Sequence, residues 1–196
     1  MLHAGARALV TGEPASIAAA DGVVLPGVGA FGAALDALDN HGLRTTLLDV
    51  AASGRPLLGV CLGHQLLFDW SEESGGRVGL GLLPGRVVRL GPERGKVPHM
   101  GWNRLTMVAP SRLLSDVADG AYVYFVHSYV AVVADEVMVA QADYGGHFAA
   151  VVERDNVAGM QFHPEKSGAD GLRIYANFVS LCAAQSPSRG PGRRLG

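Results

Sequence analysis

Gly59-Val60-Cys61-Leu62-Gly63 is the segment of this sequence best suited to chemistry. An apolar run leads into it and a helical pattern leads out. That is the form of a strand–turn–helix elbow, which presents a nucleophile at its tip. A tight turn strains the backbone, and glycines on both sides leave room for it. A cysteine at the start of a helix meets unpaired N–H groups and the positive end of the helix dipole, and both favour its thiolate. The N–H of Leu62 can point at an oxyanion. A small buried cysteine at a strand end would fit the same five residues. Cys182, the second cysteine, lies on an apolar helical stripe and reads as a core residue.

A cysteine nucleophile needs a base, and the base needs a group to hold it. Among seven histidines, His163 stands out because it opens His163-Pro164-Glu165 directly after the apolar run Gly159 to Phe162. Residues i and i+2 of an extended segment point to one side. Pro164 biases His163 towards that conformation. Glu165 can then fix the imidazole tautomer. Otherwise, His163 would be a surface residue and Glu165 the cap of a helix starting near Gly168. His64 is a rival base, but on a helix it projects one turn along from the elbow tip. No pair of histidines or cysteines has metal-ligand spacing, so no metal is expected.

Leu25-Pro26-Gly27-Val28-Gly29-Ala30-Phe31-Gly32 follows a strand-like run and opens a helix. Its glycine spacing fits a dinucleotide loop, yet no strand with an acidic residue follows at the right distance, and Asp49 lies in a helical pattern. Backbone N–H groups of Val28 or Gly29 completing an oxyanion hole is the preferred reading, and no cofactor is expected.

The elements that must carry these groups are legible in outline. Ala8 to Val10, Val23 to Leu25 and Leu57 to Val60 read as buried strands, and Phe31, Leu35 and Leu38 recur at helical spacing. A helix carrying Leu66 and Leu67 follows Cys61. This alternation argues for an α/β fold: an open, largely parallel sheet with helices on both faces. Arg86 to Leu90, Ala121 to Val126, Tyr129 to Val133, Val137 to Ala142, Phe148 to Glu153 and Val157 to Phe162 look like antiparallel hairpins added to it. Leu172, Tyr175, Val179 and Cys182 mark a last helix. Residues 1–185 are expected to form one domain, and 186–196 (SPSRGPGRRLG) a disordered tail.

Composition narrows the class. Hydrophobic residues make up 48% and charged residues 17% of the 196, which is enough for a core. A net charge of -2 without a long basic run does not suggest a nucleic-acid partner. No stretch is apolar enough to cross a membrane and the N-terminus is not a signal peptide, so a cytoplasmic protein is expected. There, two lone cysteines read as thiols rather than a disulfide.

LPGVGAFG at 25–32, GVCLGHQLLF at 59–68, KVPHMGWN at 96–103, YFVHSY at 124–129 and GMQFHPEKSG at 159–168 together carry a resemblance. The chain resembles the class I, or triad, glutamine amidotransferases. Within that class it is most similar to the glutaminase subunits of imidazole glycerol phosphate synthase, of histidine biosynthesis. The elbow and the His-Pro-Glu unit are shared across the class, whereas KVPHMGWN and the Lys-Ser after His-Pro-Glu point to this subfamily. The resemblance implies Cys61 as nucleophile, His163 as acid/base and Glu165 as its orienter. It implies an oxyanion hole from Leu62 and Val28 or Gly29, and glutamine contacts from Gly27, Gln65, Ser128 and Tyr129. It places Met100, Trp102, Asn103, Tyr124 and Lys166 against a (βα)8-barrel cyclase in a heterodimer. Glutamine would yield glutamate and ammonia, and the ammonia would pass to the cyclase. Without the resemblance, Trp102 reads as an ordinary core aromatic.

Two features depart from that subfamily. It more often has Met where His64 stands. It also usually starts about 30 residues earlier, the length of a strand and a helix. A lost central strand would expose a sheet edge and apolar surface, so this chain is expected to be unstable or poorly active alone. Other readings are the glutaminase subunit of another synthase, a stand-alone γ-glutamyl hydrolase using the same Cys61 and His163, and an inactive truncated docking module.

Overall fold

A computed structural model describes residues 5–185; the tail expected at 186–196 lies outside them. In chain order, helix α1 is Pro14–Ala18, strand β1 Val23–Gly27, α2 Phe31–Asn40, α3 Leu43–Ala52, β2 Leu57–Cys61 and α4 Leu62–Leu66. Next come β3 (Phe68–Ser71), β4 (Arg77–Val78), β5 (Leu83–Arg89), β6 (His99–Arg104), β7 (Thr106–Met107), β8 (Tyr122–His127) and β9 (Tyr129–Val132). The chain continues through β10 (Met138–Asp143), β11 (His147–Arg154), β12 (Val157–Met160) and α5 (Gly168–Gln185).

The main sheet has the order β1-β2-β12-β11-β10-β7. β2 is parallel to both neighbours, and every one of its residues is buried. An apolar LLGVC run makes sense there: a parallel strand covered on both faces wants no polar side. Its side chains serve both layers. Leu57 packs with Phe31, Leu35, Leu47 and Val50 of α2 and α3, while Leu58 and Val60 pack with Ile174 and Phe178 of α5. Each such side chain contributes about 1.5–3 kcal/mol of burial. Helices therefore lie on both faces, as expected. β11, β10 and β7 extend the sheet in antiparallel fashion.

Local patterns located β1, β2, β5 and β8 to β12 but missed β3, β4, β6 and β7, and gave no strand its partner. β3, β4, β5 and β9 form a separate four-stranded sheet, and among the described residues β6 pairs only with β8. In α5 the buried stripe is Gly171, Ile174 and Phe178, one residue off the expected register, and Leu172 is exposed. Gly171 sits where its α-carbon faces the Pro164 carbonyl; a Cβ there would lie 1.9 Å from that oxygen.

The expected strand at Ala8 to Val10 is absent. Residues 6–13 have no regular structure, and Leu9 is 72% exposed. A strand needs a neighbour to take its backbone hydrogen bonds. Among the described residues none lies beside this segment, and the outer edge of β1 pairs with no strand.

Candidate active site

Cys61 ends β2 with φ 55° and ψ -110°, a left-handed backbone in a residue other than glycine. Such a conformation costs about 1–3 kcal/mol and persists only where surroundings enforce it. The two flanking glycines do so by allowing backbone on backbone. A Cβ on Gly63 would lie 1.8 Å from the Leu25 oxygen, and one on Gly59 would lie 2.6 Å from the Gly63 oxygen. The elbow is thus wedged against β1. Gly27 is the register partner of Cys61. A Cβ on Gly27 would touch Leu62 Cβ at 2.9 Å and the Gly63 nitrogen at 3.1 Å. The Gly27-Val28-Gly29 turn and the Leu62 end of the elbow therefore emerge side by side, with Gly29 at φ +95°. Val28 is exposed.

β12 delivers the second half of the site. Val60 is level with Met160, so the chain passes Cys61 at Gln161 and reaches His163 two residues later. His163 is buried and held by a closed ring of hydrogen bonds. Its N–H donates to the Tyr124 carbonyl at 2.9 Å. The Tyr124 N–H donates to Ser167 Oγ at 3.0 Å, and Ser167 Oγ donates to the His163 carbonyl at 2.6 Å. The imidazole Nδ1 lies 2.8 Å from Glu165 Oε1. A carboxylate only accepts, so Nδ1 carries the proton and Nε2 of the neutral ring holds the lone pair. That Nε2 is buried without a hydrogen-bond partner among the described residues. A fixed imidazole with a bare basic nitrogen is the geometry of a general base.

The thiol corrects one expectation. Burial pushes the Cys61 pKa up to about 11. The Leu62 N–H pulls it down, the Glu165 charge adds to the rise and Lys166 offsets part of it. The donors at the start of the five-residue α4 are thus outweighed by desolvation, and the resting sulfur is a protonated thiol. In a Cys182→Ala chain, alkylation of Cys61 by iodoacetamide is expected to climb about tenfold per pH unit from pH 8 to 10. A plateau below pH 8 would contradict this.

The other candidate base, His64, is turned into the core. It is fully buried, meets Phe68 edge-on at 5.0 Å and faces Gly159, where a Cβ would lie 2.4 Å from its Nδ1. Neither ring nitrogen has a hydrogen-bond partner among the described residues. Burial, with a smaller contribution from His127, lowers its pKa to about 3.

A model of the class-I glutamine amidotransferase family matches residues 9–181. The chain belongs to this family. Among curated amidotransferase relatives it is 53% identical to the imidazole glycerol phosphate synthase subunit HisH of Methanothermobacter thermautotrophicus over 180 residues, covering 92% of this chain and 89% of that one. It is 53% identical to HisH of Desulfitobacterium hafniense over 175 residues (89% and 82%), and 46% identical to HisH of Bacillus cereus over 187 (95% and 89%). Solved structures agree on the fold. A crystal structure of a glutamine amidotransferase superposes with TM-score 0.72 at 18% identity, over 93% of this chain and 89% of that one. The glutaminase domain of Trypanosoma brucei CTPS with bound acivicin gives 0.61 at 18% identity (89% and 75%).

The remaining amidotransferase candidates divide into two groups. Gln65 is buried beside the elbow, and its amide nitrogen donates to the Tyr129 carbonyl at 3.2 Å and to Gln161 Oε1 at 2.9 Å. Ser128 and Tyr129 follow β8, where Ser128 offers its carbonyl to the Leu90 N–H. Away from the elbow, Met100 (62% exposed) and Trp102 (54%) line one face of β6. Trp102 meets Tyr124 edge-to-face, and Lys166 Nζ lies 5.3 Å from the centre of the Tyr124 ring. Asn103 does not join them. Strand alternation turns it to the opposite face, where its amide donates to the Asp143 carbonyl at 2.7 Å and reaches His99.

Sequence reasoning missed Gln161 and Ser167. Gln161 is fully buried, and its amide nitrogen lies 3.9 Å from Cys61 Sγ. A polar residue inside the apolar run Gly159-Met160-Gln161-Phe162 was the available signal, since a buried amide must find partners. Ser167 closes the ring around His163 across 43 residues of sequence, which no local pattern reveals.

Proposed function

We propose that this chain is the glutaminase subunit of an imidazole glycerol phosphate synthase, with Cys61, His163 and Glu165 as its triad. His163 Nε2 takes the thiol proton as Cys61 Sγ attacks the carboxamide carbon of glutamine. N–H groups of Leu62 and of Val28 or Gly29 stabilise the oxyanion. The tetrahedral intermediate collapses as His163 returns the proton to the departing ammonia, leaving a glutamyl thioester. His163 then deprotonates a water that cleaves the thioester, and glutamate leaves with the thiol restored. Glu165 holds the ring in the tautomer each step needs. Ammonia goes to a (βα)8-barrel cyclase docked on the Met100–Trp102 face.

The observation that carries the reading is the strained Cys61 elbow at the end of β2, with the neighbouring strand β12 leading to a histidine whose Nε2 has no hydrogen-bond partner among the described residues and whose Nδ1 is bound by Glu165. The HisH relatives support the partner, as does a Met–Trp surface of the sort that anchors interfaces. Glutamate release should rise when the barrel cyclase and its nucleotide are titrated in. Trp102→Ala should weaken the apparent partner affinity by about 30-fold. Release that ignores the cyclase would favour a stand-alone hydrolase.

A further inference from the structure

A line of hydrogen bonds runs from β6 to the nucleophile. His127 Nδ1 lies 2.9 Å from the Tyr129 carbonyl, which can only accept, so Nδ1 carries the proton. In the neutral ring His127 Nε2 is then an acceptor. His99 Nδ1, 3.0 Å away, must donate to it. His99 Nε2 becomes an acceptor in turn, and the Asn103 amide nitrogen stands 3.3 Å from it. Each tautomer follows from the last, so the bonds from Asn103 to the Tyr129 carbonyl share one direction. The same carbonyl also accepts from the Gln65 amide nitrogen, which donates in turn to Gln161 Oε1, and the Gln161 amide nitrogen donates to Cys61 Sγ at 3.9 Å.

The surroundings hold these groups still. His99 is stacked between Phe125 (ring centres 5.0 Å apart) and Tyr144 (4.0 Å), at 24° to each. His99, His127, Gln65 and Gln161 are all buried. Four polar side chains in an apolar cluster cost stability unless each is satisfied, and a satisfied network specifies one arrangement. At its outer end the line begins on the strand whose other face presents Met100 and Trp102.

We propose that the His99–His127 pair and Gln161 are positioning residues for glutamine hydrolysis, fixing the Tyr129 carbonyl and the Cys61 thiol and tying both to the position of β6. This rests on the glutaminase reading and on partner docking at the exposed face of β6. A partner that shifts β6 would move the line's far end at Cys61.

His127→Asn keeps a donor near the Nδ1 position, whereas His127→Leu removes it. In the full chain with the cyclase, His127→Leu should raise the KM for glutamine and reduce partner stimulation, each by about 3- to 10-fold. His127→Asn should restore KM to within about threefold of the parent. Equal losses in both variants, or an unchanged KM and stimulation in a folded His127→Leu chain, would overturn the proposal. Gln161→Met gives a second readout that needs neither glutamine nor partner, nor a folded His127→Leu. Losing the amide donor should slow iodoacetamide labelling of Cys61 by about 3- to 10-fold in a chain with unchanged thermal unfolding. Unchanged labelling would overturn the link to the thiol. Parent protein that labels at Cys61 but releases no glutamate would instead count against the glutaminase reading.

Discussion

Alanine at Cys61 or at His163 should lower glutamate release by about 10⁴-fold or more, and the double variant should be no slower than the worse single one. The reason is that the two groups act as a unit. The Cys61 thiol, held at about 11 by burial, supplies almost no thiolate at neutral pH. In the proposed mechanism it becomes nucleophilic as its proton moves to His163 Nε2, which is buried with no hydrogen-bond partner among the described residues. Removing either partner removes the same step, so the losses cannot add. Glu165→Gln should cost less than either, because the Glu165 side chain is half exposed and water can take part of its place. Steady-state glutamate release from the four variants checks the order. Additive losses in the Cys61→Ala/His163→Ala chain would show that the two residues work separately.

The protein should also be acid-labile through three histidines that do not touch the chemistry. Burial lowers the pKa of His64 to about 3, of His99 to about 4 and of His127 to about 3, from an ordinary 6.5. In the unfolded chain each binds a proton as pH falls through about 6.5, while in the folded chain each stays neutral to about 3 or 4. Between these values the unfolded state holds more protons, so stability is present above pH 6.5 and declines as pH falls. At about 1.4 kcal/mol per pH unit, each group removes about 2 kcal/mol by pH 5. The three together, about 6 kcal/mol, rival the whole stability of a typical domain. Urea unfolding at pH 7.5, 6 and 5 should show a slope approaching three protons, and His64→Met should reduce it by one. The same substitution removes two buried nitrogens that have no partner among the described residues, which should add about 1–3 kcal/mol at neutral pH. A slope near zero would show that water reaches these rings.

Sequence alone carried the chemistry further than the architecture. Val23 to Leu25, Leu57 to Val60 and the helix through Phe31, Leu35 and Leu38 all form, because an apolar strand and an amphipathic helix each announce themselves within one segment; only Leu57 to Val60 is fully buried, whereas Val23 to Leu25 is half-buried. The elbow and His163-Pro164-Glu165 were equally local: the glycines act where expected and His163 is extended, but Glu165 reaches the ring from the 3-10 turn Pro164–Lys166 rather than along an extended segment. Pairing between distant segments was not legible. β5 and β9 look like hairpin strands for the main sheet but build a second one. Ala8 to Val10 has a strand's composition and no described neighbour to bond. The thiol was misjudged because a helix start is visible in sequence, while the burial that overrides it comes from the packed fold. Asn103 shows that one step along a strand decides which face of the sheet a side chain joins.

Covalent capture at Cys61 tests the central claim most directly. Turnover with glutamine in the presence of the barrel cyclase would be quenched in acid, and the peptide carrying Cys61 weighed. The expected result is a glutamyl adduct on Cys61 that is lost in Cys61→Ala and decays on chase with water. Glutamate release with no adduct, persisting in the Cys61→Ala chain, would contradict a cysteine glutaminase.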